Sequence, residues 1–181
     1  MKRKLFLTGP IGCGKSTAIA TAIGEKLPEF GGFLTKRERD KEGHAIAFYL
    51  ESPDGKFKQT FLDCRGTAPQ IHTDVFERFP LKGKYLVLDE IGGVELLNPA
   101  FMAMLNALLS SDIPVIGVVK GAGPASAMIR KLGLTEEYET AANLFREALR
   151  NDPDTLVYDC GKFDEEALRL AEAWVKEYTH E

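Results

Sequence analysis

A short segment near the N-terminus combines glycines, a lysine and two hydroxyls at a spacing suited to phosphate. The segment is GPIGCGKST, residues 9–17. Gly9, Gly14, Lys15 and Ser16 fit the pattern G-x-x-x-x-G-K-[ST]. In that pattern the glycines let backbone N–H groups approach phosphate oxygens, because no Cβ stands in the way. The lysine reaches the β and γ oxygens and the hydroxyl is a ligand for Mg²⁺, so the sequence predicts a phosphate-binding loop.

The residues around this loop support the prediction. An apolar, strand-like run precedes it at 4–8, and a helical pattern follows it as far as Pro28. The N–H groups of that helix's first turn would add to the anion site. We expect Lys15 to act in catalysis and Thr17 to contact the α-phosphate. The full set of nucleotide-binding residues predicted from the loop is Gly9, Pro10, Ile11, Gly12, Cys13, Gly14, Lys15, Ser16 and Thr17.

A second group of chemical residues is an acidic pair. YLVLDEIGG places Asp89 and Glu90 at the end of an apolar strand, and ligands of open α/β sheets bind at that edge. The phosphate loop would lie at the same edge. Asp89 would then hold Mg²⁺ together with Ser16, and Glu90 would polarise the water that attacks the γ-phosphorus. Lys120 ends the next strand, where it could reach the γ-phosphate as a sensor or simply extend into solvent.

Alternating strands and helices must position these residues. Asn98 is a typical N-cap and Pro99 a typical first helical residue, so a helix is predicted to begin there. Asp164 is a typical cap for a last helix, which contains Trp174. Strands alternating with helices predict an α/β fold with a parallel sheet. The apolar runs that read as buried strands are residues 4–8, 85–90, 114–120 and 155–160.

Two segments depart from this alternation. Residues 31–61 read as short strands joined by turns, with PDG at 53–55 marking a hairpin, so we expect a small antiparallel insertion. Residues 121–150 hold two helical patterns separated by Gly133. They would either cover the nucleotide pocket or pack against the sheet.

Composition limits the class of protein. The 181 residues suit a single domain, 1–181, with 44% hydrophobic and 28% charged residues. The formal charge of −4 argues against nucleic acid as a partner. The first apolar run breaks too early for an export signal and no run could span a membrane, so we expect a cytoplasmic protein. Three widely spaced cysteines favour neither a disulfide framework nor a zinc site.

Three segments resemble a known family, the small P-loop nucleoside-triphosphatases that include the human cancer-related nucleoside-triphosphatase and its thermophilic relatives. They are FLTGPIGCGKST, GGFLTKRERDKEGHAIAF and LVLDEIGGVELL. In the second segment Thr35 and Arg39 stand where the family has a threonine and an arginine. In the third, the family's extended acidic motif is matched by Asp89, Glu90, Ile91, Gly92, Glu95 and Leu96.

The resemblance implies a P-loop NTPase fold, with a mostly parallel central sheet flanked by helices and a small antiparallel β insertion. Members of this family are similar to the additional-strand ATPases, which use a catalytic glutamate. The resemblance also implies slow, Mg²⁺-dependent hydrolysis of ATP, GTP and other triphosphates, and it makes Arg39 a candidate phosphate contact. Mixed charge runs such as TKRERDK are usually solvated, so an exposed hairpin is the alternative for Arg39.

Two other functions use the same predicted site. The first is a kinase that transfers the phosphoryl group to a small acceptor held by the insertion. The second is a nucleotide-dependent switch or scaffold whose slow hydrolysis times a protein interaction. The sequence identifies no protein partner and no base preference. It lacks the guanine-reading N-K-x-D pattern after the metal-binding strand.

Overall fold

An eight-stranded sheet forms the centre of the computed structural model, which describes residues 1–79, 81–123, 130, 132–162 and 164–179. Numbered along the chain, the order across the sheet is β5-β4-β3-β2-β6-β7-β1-β8. The strands are β1 (Lys4–Thr8), β2 (Gly31–Arg39), β3 (Ala45–Glu51), β4 (Lys58–Asp63), β5 (Gln70–Ile71), β6 (Leu86–Ile91), β7 (Val115–Val119) and β8 (Thr155–Asp159).

The parallel part of the sheet carries the predicted buried strands. β1, β6, β7 and β8 coincide with the four apolar runs to within a residue or so at either end, and neighbouring strands in this part pair in parallel. β7 lies between β1 and β6. The loop that follows β1 and the acidic pair that ends β6 therefore lie at one edge, separated by a single strand.

The antiparallel part begins within β2. Gly31–Phe33 pair in parallel with β6, and the rest of β2 pairs antiparallel with β3. Gly32 has a φ of +92°, and a Cβ there would lie 2.1 Å from the Val87 carbonyl oxygen, so this crossing needs glycine. The predicted antiparallel part is confirmed, but it extends beyond residue 61 because β5 adds a short strand at Gln70–Ile71.

Four α-helices flank the sheet in the described part of the chain. They are α1 (Lys15–Ile23), α2 (Pro99–Leu109), α3 (Glu136–Asn151) and α4 (Glu165–Tyr178). The predicted caps are confirmed, since Asn98 accepts a hydrogen bond from the Phe101 N–H and Asp164 accepts from two N–H groups. Three short 3-10 helices are also present, at Gly24–Glu29, Thr73–Arg78 and Val94–Leu97.

The helix after the phosphate loop is shorter than predicted. It ends at Ile23 instead of continuing to Pro28, because Gly24 adopts a φ of +55° and leaves the α conformation. The chain continues as a 3-10 turn that contains Pro28. The second helix predicted within 121–150 is α3, and most of the first lies outside the described residues.

Two apolar clusters cover the faces of the sheet. α2 and α3 pack on one face, and α1 and α4 pack on the other. Trp174 of α4 is fully buried, as predicted, and its indole N–H donates to the Arg3 carbonyl oxygen over 3.0 Å. Among the described residues, no helix combines the length and apolar character needed to cross a membrane.

Candidate functional site

The loop between β1 and α1 has the backbone conformation that its glycines allow. Gly9 has a φ of +133°, and a Cβ there would lie 2.6 Å from the Cys160 carbonyl oxygen. Gly14 precedes α1 with a φ of +97°, and its position provides no side-chain cap for the helix. The N–H groups at the start of α1 are therefore positioned for an anion at the mouth of the loop.

Lys15 lies across this loop. Its ammonium group donates to the carbonyl oxygens of Gly9 and Pro10, over 3.1 Å and 2.6 Å, and lies 3.4 Å from the Cys13 sulfur. These contacts hold a positive charge beside the loop's N–H groups. A phosphate bound by the loop would meet both kinds of donor.

Ser16 and Asp89 connect the loop to the acidic pair. The Ser16 hydroxyl donates to Asp89 Oδ1 over 2.7 Å, and Thr35 Oγ1 donates to the Asp89 carbonyl oxygen over 2.7 Å. Burial raises the pKa of Asp89 to about 6, although the Ser16 hydrogen bond opposes the rise. A buried carboxylate beside a hydroxyl is a suitable pair of oxygen ligands for a hard divalent cation.

An irregularity in β6 brings both acidic residues to the same site. The register with β7 shifts between Leu88, which pairs with Gly117, and Ile91, which pairs with Val119. Glu90 has a φ of +67°, the one positive φ among non-glycine residues that the structure describes. Neighbouring side chains of a regular strand point to opposite faces, whereas a bulge redirects one of them. Such a conformation costs on the order of 1–3 kcal/mol and is typical of functional sites.

Glu90 lies between two cations. Arg37 Nη2 donates to its two carboxylate oxygens over 3.1 Å and 3.0 Å, and Lys120 Nζ donates over 3.2 Å. Burial alone would raise the pKa of Glu90, but the charges of Lys120 and Arg37 outweigh burial and place this pKa below its usual range. The carboxylate is therefore ionised and a weak base.

These residues surround a cavity of about 320 Å³. The phosphate loop and the start of α1 form one wall of the cavity, and residues of β2 form another. Residues at the ends of β6 and β7 form the remaining wall. The lining residues are Gly9, Ile11, Gly12, Gly14, Lys15, Ser16, Thr17, Thr35, Lys36, Arg37, Glu90, Val118, Val119, Lys120 and Gly121.

Most of the residues predicted from the sequence meet at this cavity, with some differences. Asp89 lies behind Ser16, and Pro10 and Cys13 contact the Lys15 ammonium without lining the cavity. Arg39 does not line the cavity, since its guanidinium is exposed and donates to the Gly43 carbonyl oxygen of the hairpin over 2.6 Å.

The sequence prediction missed two cations of β2. Lys36 and Arg37 line the cavity, and Arg37 contacts Glu90 where Arg39 had been the candidate. From the sequence, Thr35 is identified only by its match to the family. Alternation along a strand would place Thr35, Arg37 and Arg39 on one face, so the sequence pattern alone does not single out Arg37.

Glu95, the other carboxylate of the acidic segment, shapes a turn. It is 2% exposed, and its Oε1 accepts hydrogen bonds from the N–H groups of Gly92 and Gly93 over 2.5 Å and 2.8 Å. Burial raises its pKa. Tyr138 of α3 donates to the Gly92 carbonyl oxygen over 2.9 Å, so α3 supports the same turn.

A second, larger cavity adjoins the first. Its volume is about 780 Å³, and it shares Gly9, Ile11 and Gly121 with the phosphate cavity. α3 contributes polar side chains to it, including Asn143 and Arg146. The loop thus has a charged cavity on one side and a wider, mixed cavity on the other.

Comparison with known proteins identifies the family. The model of a protein family described as NTPase matches residues 4–150. "Nucleoside-triphosphatase THEP1" of Methanosarcina acetivorans is 30% identical over 132 residues, covering 64% of this chain and 75% of that protein. The "Cancer-related nucleoside-triphosphatase homolog" of Mus musculus is 32% identical over 146 residues, covering 66% and 76%.

A solved structure shows the same fold. The crystal structure of THEP1 from Aquifex aeolicus aligns with 98% of this chain and 99% of its own, with a TM-score of 0.60 at 18% identity. The family match covers the phosphate loop, the acidic pair and most of the sheet. The chain belongs to this NTPase family.

Proposed function

We propose that the protein is a Mg²⁺-dependent nucleoside-triphosphatase that hydrolyses the bond between the β and γ phosphates of ATP- or GTP-type nucleotides. The observation that carries this proposal is the Ser16–Asp89 contact beside Lys15, with Glu90 next in the chain. A hydroxyl suited to a metal, a cation suited to phosphate and a carboxylate suited to water line one cavity, and the Asp89 carboxylate lies directly behind that hydroxyl.

Each residue has a role in the proposed reaction. The loop N–H groups and Lys15 bind the β- and γ-phosphates, and Thr17 contacts the α-phosphate. Ser16 and Asp89 would hold Mg²⁺, which would supply positive charge to neutralise the phosphate oxygens. Glu90 orients the water for attack at the γ-phosphorus, and Lys120 contacts the γ-phosphate.

Slow turnover and broad base specificity are part of the proposal. The ion pairs with Arg37 and Lys120 lower the pKa of Glu90, which makes it a weak acceptor for a water proton. The cations that line the phosphate cavity, Lys15, Lys36, Arg37 and Lys120, suit phosphate groups, which all nucleoside triphosphates share. A cytoplasmic location, where these nucleotides are abundant, belongs to the same proposal.

A second candidate function is phosphoryl transfer to a small acceptor. Lys36, Arg37 and Lys120 add three cations to the cavity beyond Lys15, and an acceptor carrying its own phosphate or carboxylate would fit such a charge. Hydrolysis remains the first candidate, because the chain belongs to the NTPase family and Glu90 lies at the cavity.

The test is product analysis with each of the four common nucleoside triphosphates. We expect Mg²⁺-dependent release of equal amounts of diphosphate and inorganic phosphate, and loss of both in excess chelator. The Glu90→Gln protein, purified in parallel, controls for contaminating hydrolases. Nucleotide consumption that requires added metabolites and releases no phosphate would favour the kinase. No consumption under either condition would contradict both functions.

A further inference from the structure

Arg37 is fixed at the cavity by the strand that carries it. Two residues before it on β2, Thr35 donates to the Asp89 carbonyl oxygen and ties the strand to the end of β6. Arg37 pairs with Phe48 of β3, and its guanidinium lies 5.7 Å from the centre of that aromatic ring. Both the backbone and the side chain are therefore positioned before any nucleotide binds.

The guanidinium has donors to spare. Only Nη2 contacts Glu90, whereas an arginine offers five N–H groups in a planar fork. Within the part of the chain that the structure describes, Nε and Nη1 have no hydrogen-bond partner, and 32% of the side chain is exposed. Arg37 can therefore donate to a phosphate oxygen through a free N–H group, before or while its contact with Glu90 breaks.

We propose that Arg37 is a catalytic residue: its guanidinium binds the γ-phosphate oxygens in the transition state and, in leaving Glu90, frees that carboxylate for the attacking water. This inference rests on the proposed function. The water oxygen forms a bond to the γ-phosphorus, while the bond from that phosphorus to the bridging oxygen breaks. The bridging oxygen leaves on the diphosphate with the electron pair. The water proton passes to Glu90 and from there to solvent.

The exchange has a physical reason. A γ-phosphoryl group in transfer presents three charged oxygens, and the arginine fork matches two of them at once. The transition state spreads charge over these oxygens, so a donor there contributes more to the transition state than to the ground state. Lys120 is a point charge and does not supply the same geometry.

A purely structural role for the Arg37–Glu90 pair is the alternative. Partly exposed ion pairs contribute little to stability, because solvent screens them. A structural role therefore predicts a small change in melting temperature and an unchanged chemical step. A phosphate contact predicts that binding of a transition-state analogue changes while binding of product does not.

The experiment compares Arg37→Ala and Arg37→Lys with a matched control, Arg39→Ala, on the same strand but bonded to the hairpin. We measure kcat, the affinity for Mg²⁺·ADP, and the affinity for Mg²⁺·ADP with fluoroaluminate. For Arg37→Ala we expect kcat and fluoroaluminate binding to fall by roughly 10²–10³, as for other preorganised donors. Mg²⁺·ADP affinity should change less than about twofold, since this donor acts on the transition state.

The remaining variants complete the test. Arg37→Lys should recover only part of the loss, and Arg39→Ala should match the wild type in all three measurements. The inference is overturned if kcat of Arg37→Ala is unchanged or higher, or if Mg²⁺·ADP and fluoroaluminate binding weaken equally. A wild type that does not hydrolyse nucleotide would instead contradict the proposed function, which separates the two failures.

Discussion

The Ser16 hydroxyl donates to Asp89 Oδ1 over 2.7 Å, which joins the first turn of α1 to the bulge of β6. The two residues are 73 positions apart in the sequence, and β7 separates β6 from β1, the strand that precedes the phosphate loop. The contact arises because both β1 and β6 end at the same edge of a parallel sheet. It places the two proposed metal-site oxygens together in the protein itself.

Asp89→Asn should weaken the metal dependence of the reaction. The amide keeps the shape of the carboxylate but loses its charge, and groups that hold a metal through water typically contribute about 10–100-fold to metal affinity. We therefore expect the Mg²⁺ concentration for half-maximal rate to rise by about that factor, with a lower rate at saturation. Titrating Mg²⁺ against initial rate measures both. Asp112→Asn is the control, because the Asp112 side chain is 98% exposed. An unchanged Mg²⁺ titration for Asp89→Asn would show that Asp89 is not part of the metal site.

The same substitution should stabilise the metal-free protein at neutral pH. Burial raises the pKa of Asp89 from 3.8 to about 6, so between these pH values the folded chain binds more protons than the unfolded chain. Stability therefore falls as pH rises from about 4 to 6, by about 3 kcal/mol at most, and is flat above that range. Asn cannot ionise and avoids this loss.

Thermal unfolding without metal measures this effect. We expect Asp89→Asn to melt at a higher temperature than the wild type at pH 8, and the difference to shrink at pH 4, where the wild-type carboxyl is largely protonated in the folded state. Taking the difference between the two proteins cancels other titrating groups. A variant that melts lower than the wild type at pH 8 would show that the ionised Asp89 is stabilising.

Glu90→Gln should separate binding from chemistry. The amide retains size and hydrogen-bonding capacity but cannot accept the water proton, so the rate should fall by roughly 10²–10⁴ while Mg²⁺·nucleotide affinity survives. Single-turnover rates and calorimetric binding measure the two quantities. Hydrolysis at the wild-type rate would exclude Glu90 as the water-positioning group. Glu95 would be a poor replacement, because its Oε1 is already bonded within a buried turn.

Lys15→Ala should reduce nucleotide binding far more than stability. The lysine's present partners are loop carbonyl oxygens, and its main partner in the proposed complex is phosphate. Losing a charged hydrogen bond of about 1.5–3 kcal/mol corresponds to roughly a 10–100-fold weaker Kd for the triphosphate. Calorimetry measures Kd, and Lys56→Ala, at an exposed lysine in the hairpin turn, is the control. Unchanged binding would show that the loop does not hold the phosphates as proposed.

Local patterns explain what could be predicted from the sequence. The strand at Lys4–Thr8, the loop after it and the caps Asn98 and Asp164 depend on neighbouring residues, and the structure has them in the predicted places. The sequence predicts the end of α1 too late, because proline is a strong stop signal whereas a glycine such as Gly24 can also occur within a helix.

Long-range pairing explains what could not be predicted. The position of Arg37 depends on the contact between Thr35 and Asp89 and on the register of β2 with β3, neither of which leaves a local signal. The resemblance directed attention to Arg39, two residues further along. The reach of Glu90 similarly depends on a register shift between β6 and β7 that no single segment encodes.

The burial of Trp174 gives the protein an internal fluorescence reporter. Its indole N–H is hydrogen-bonded to the carbonyl oxygen of Arg3, just before β1 begins. The phosphate loop follows the other end of β1, and the strand is about 13 Å long at ~3.3 Å per residue. The sequence has a single tryptophan. Its emission should be blue-shifted in the native protein, shift to the red on unfolding, and respond little to nucleotide. Intrinsic fluorescence can therefore report the folding equilibrium of each variant while nucleotide and metal are present in the same cuvette.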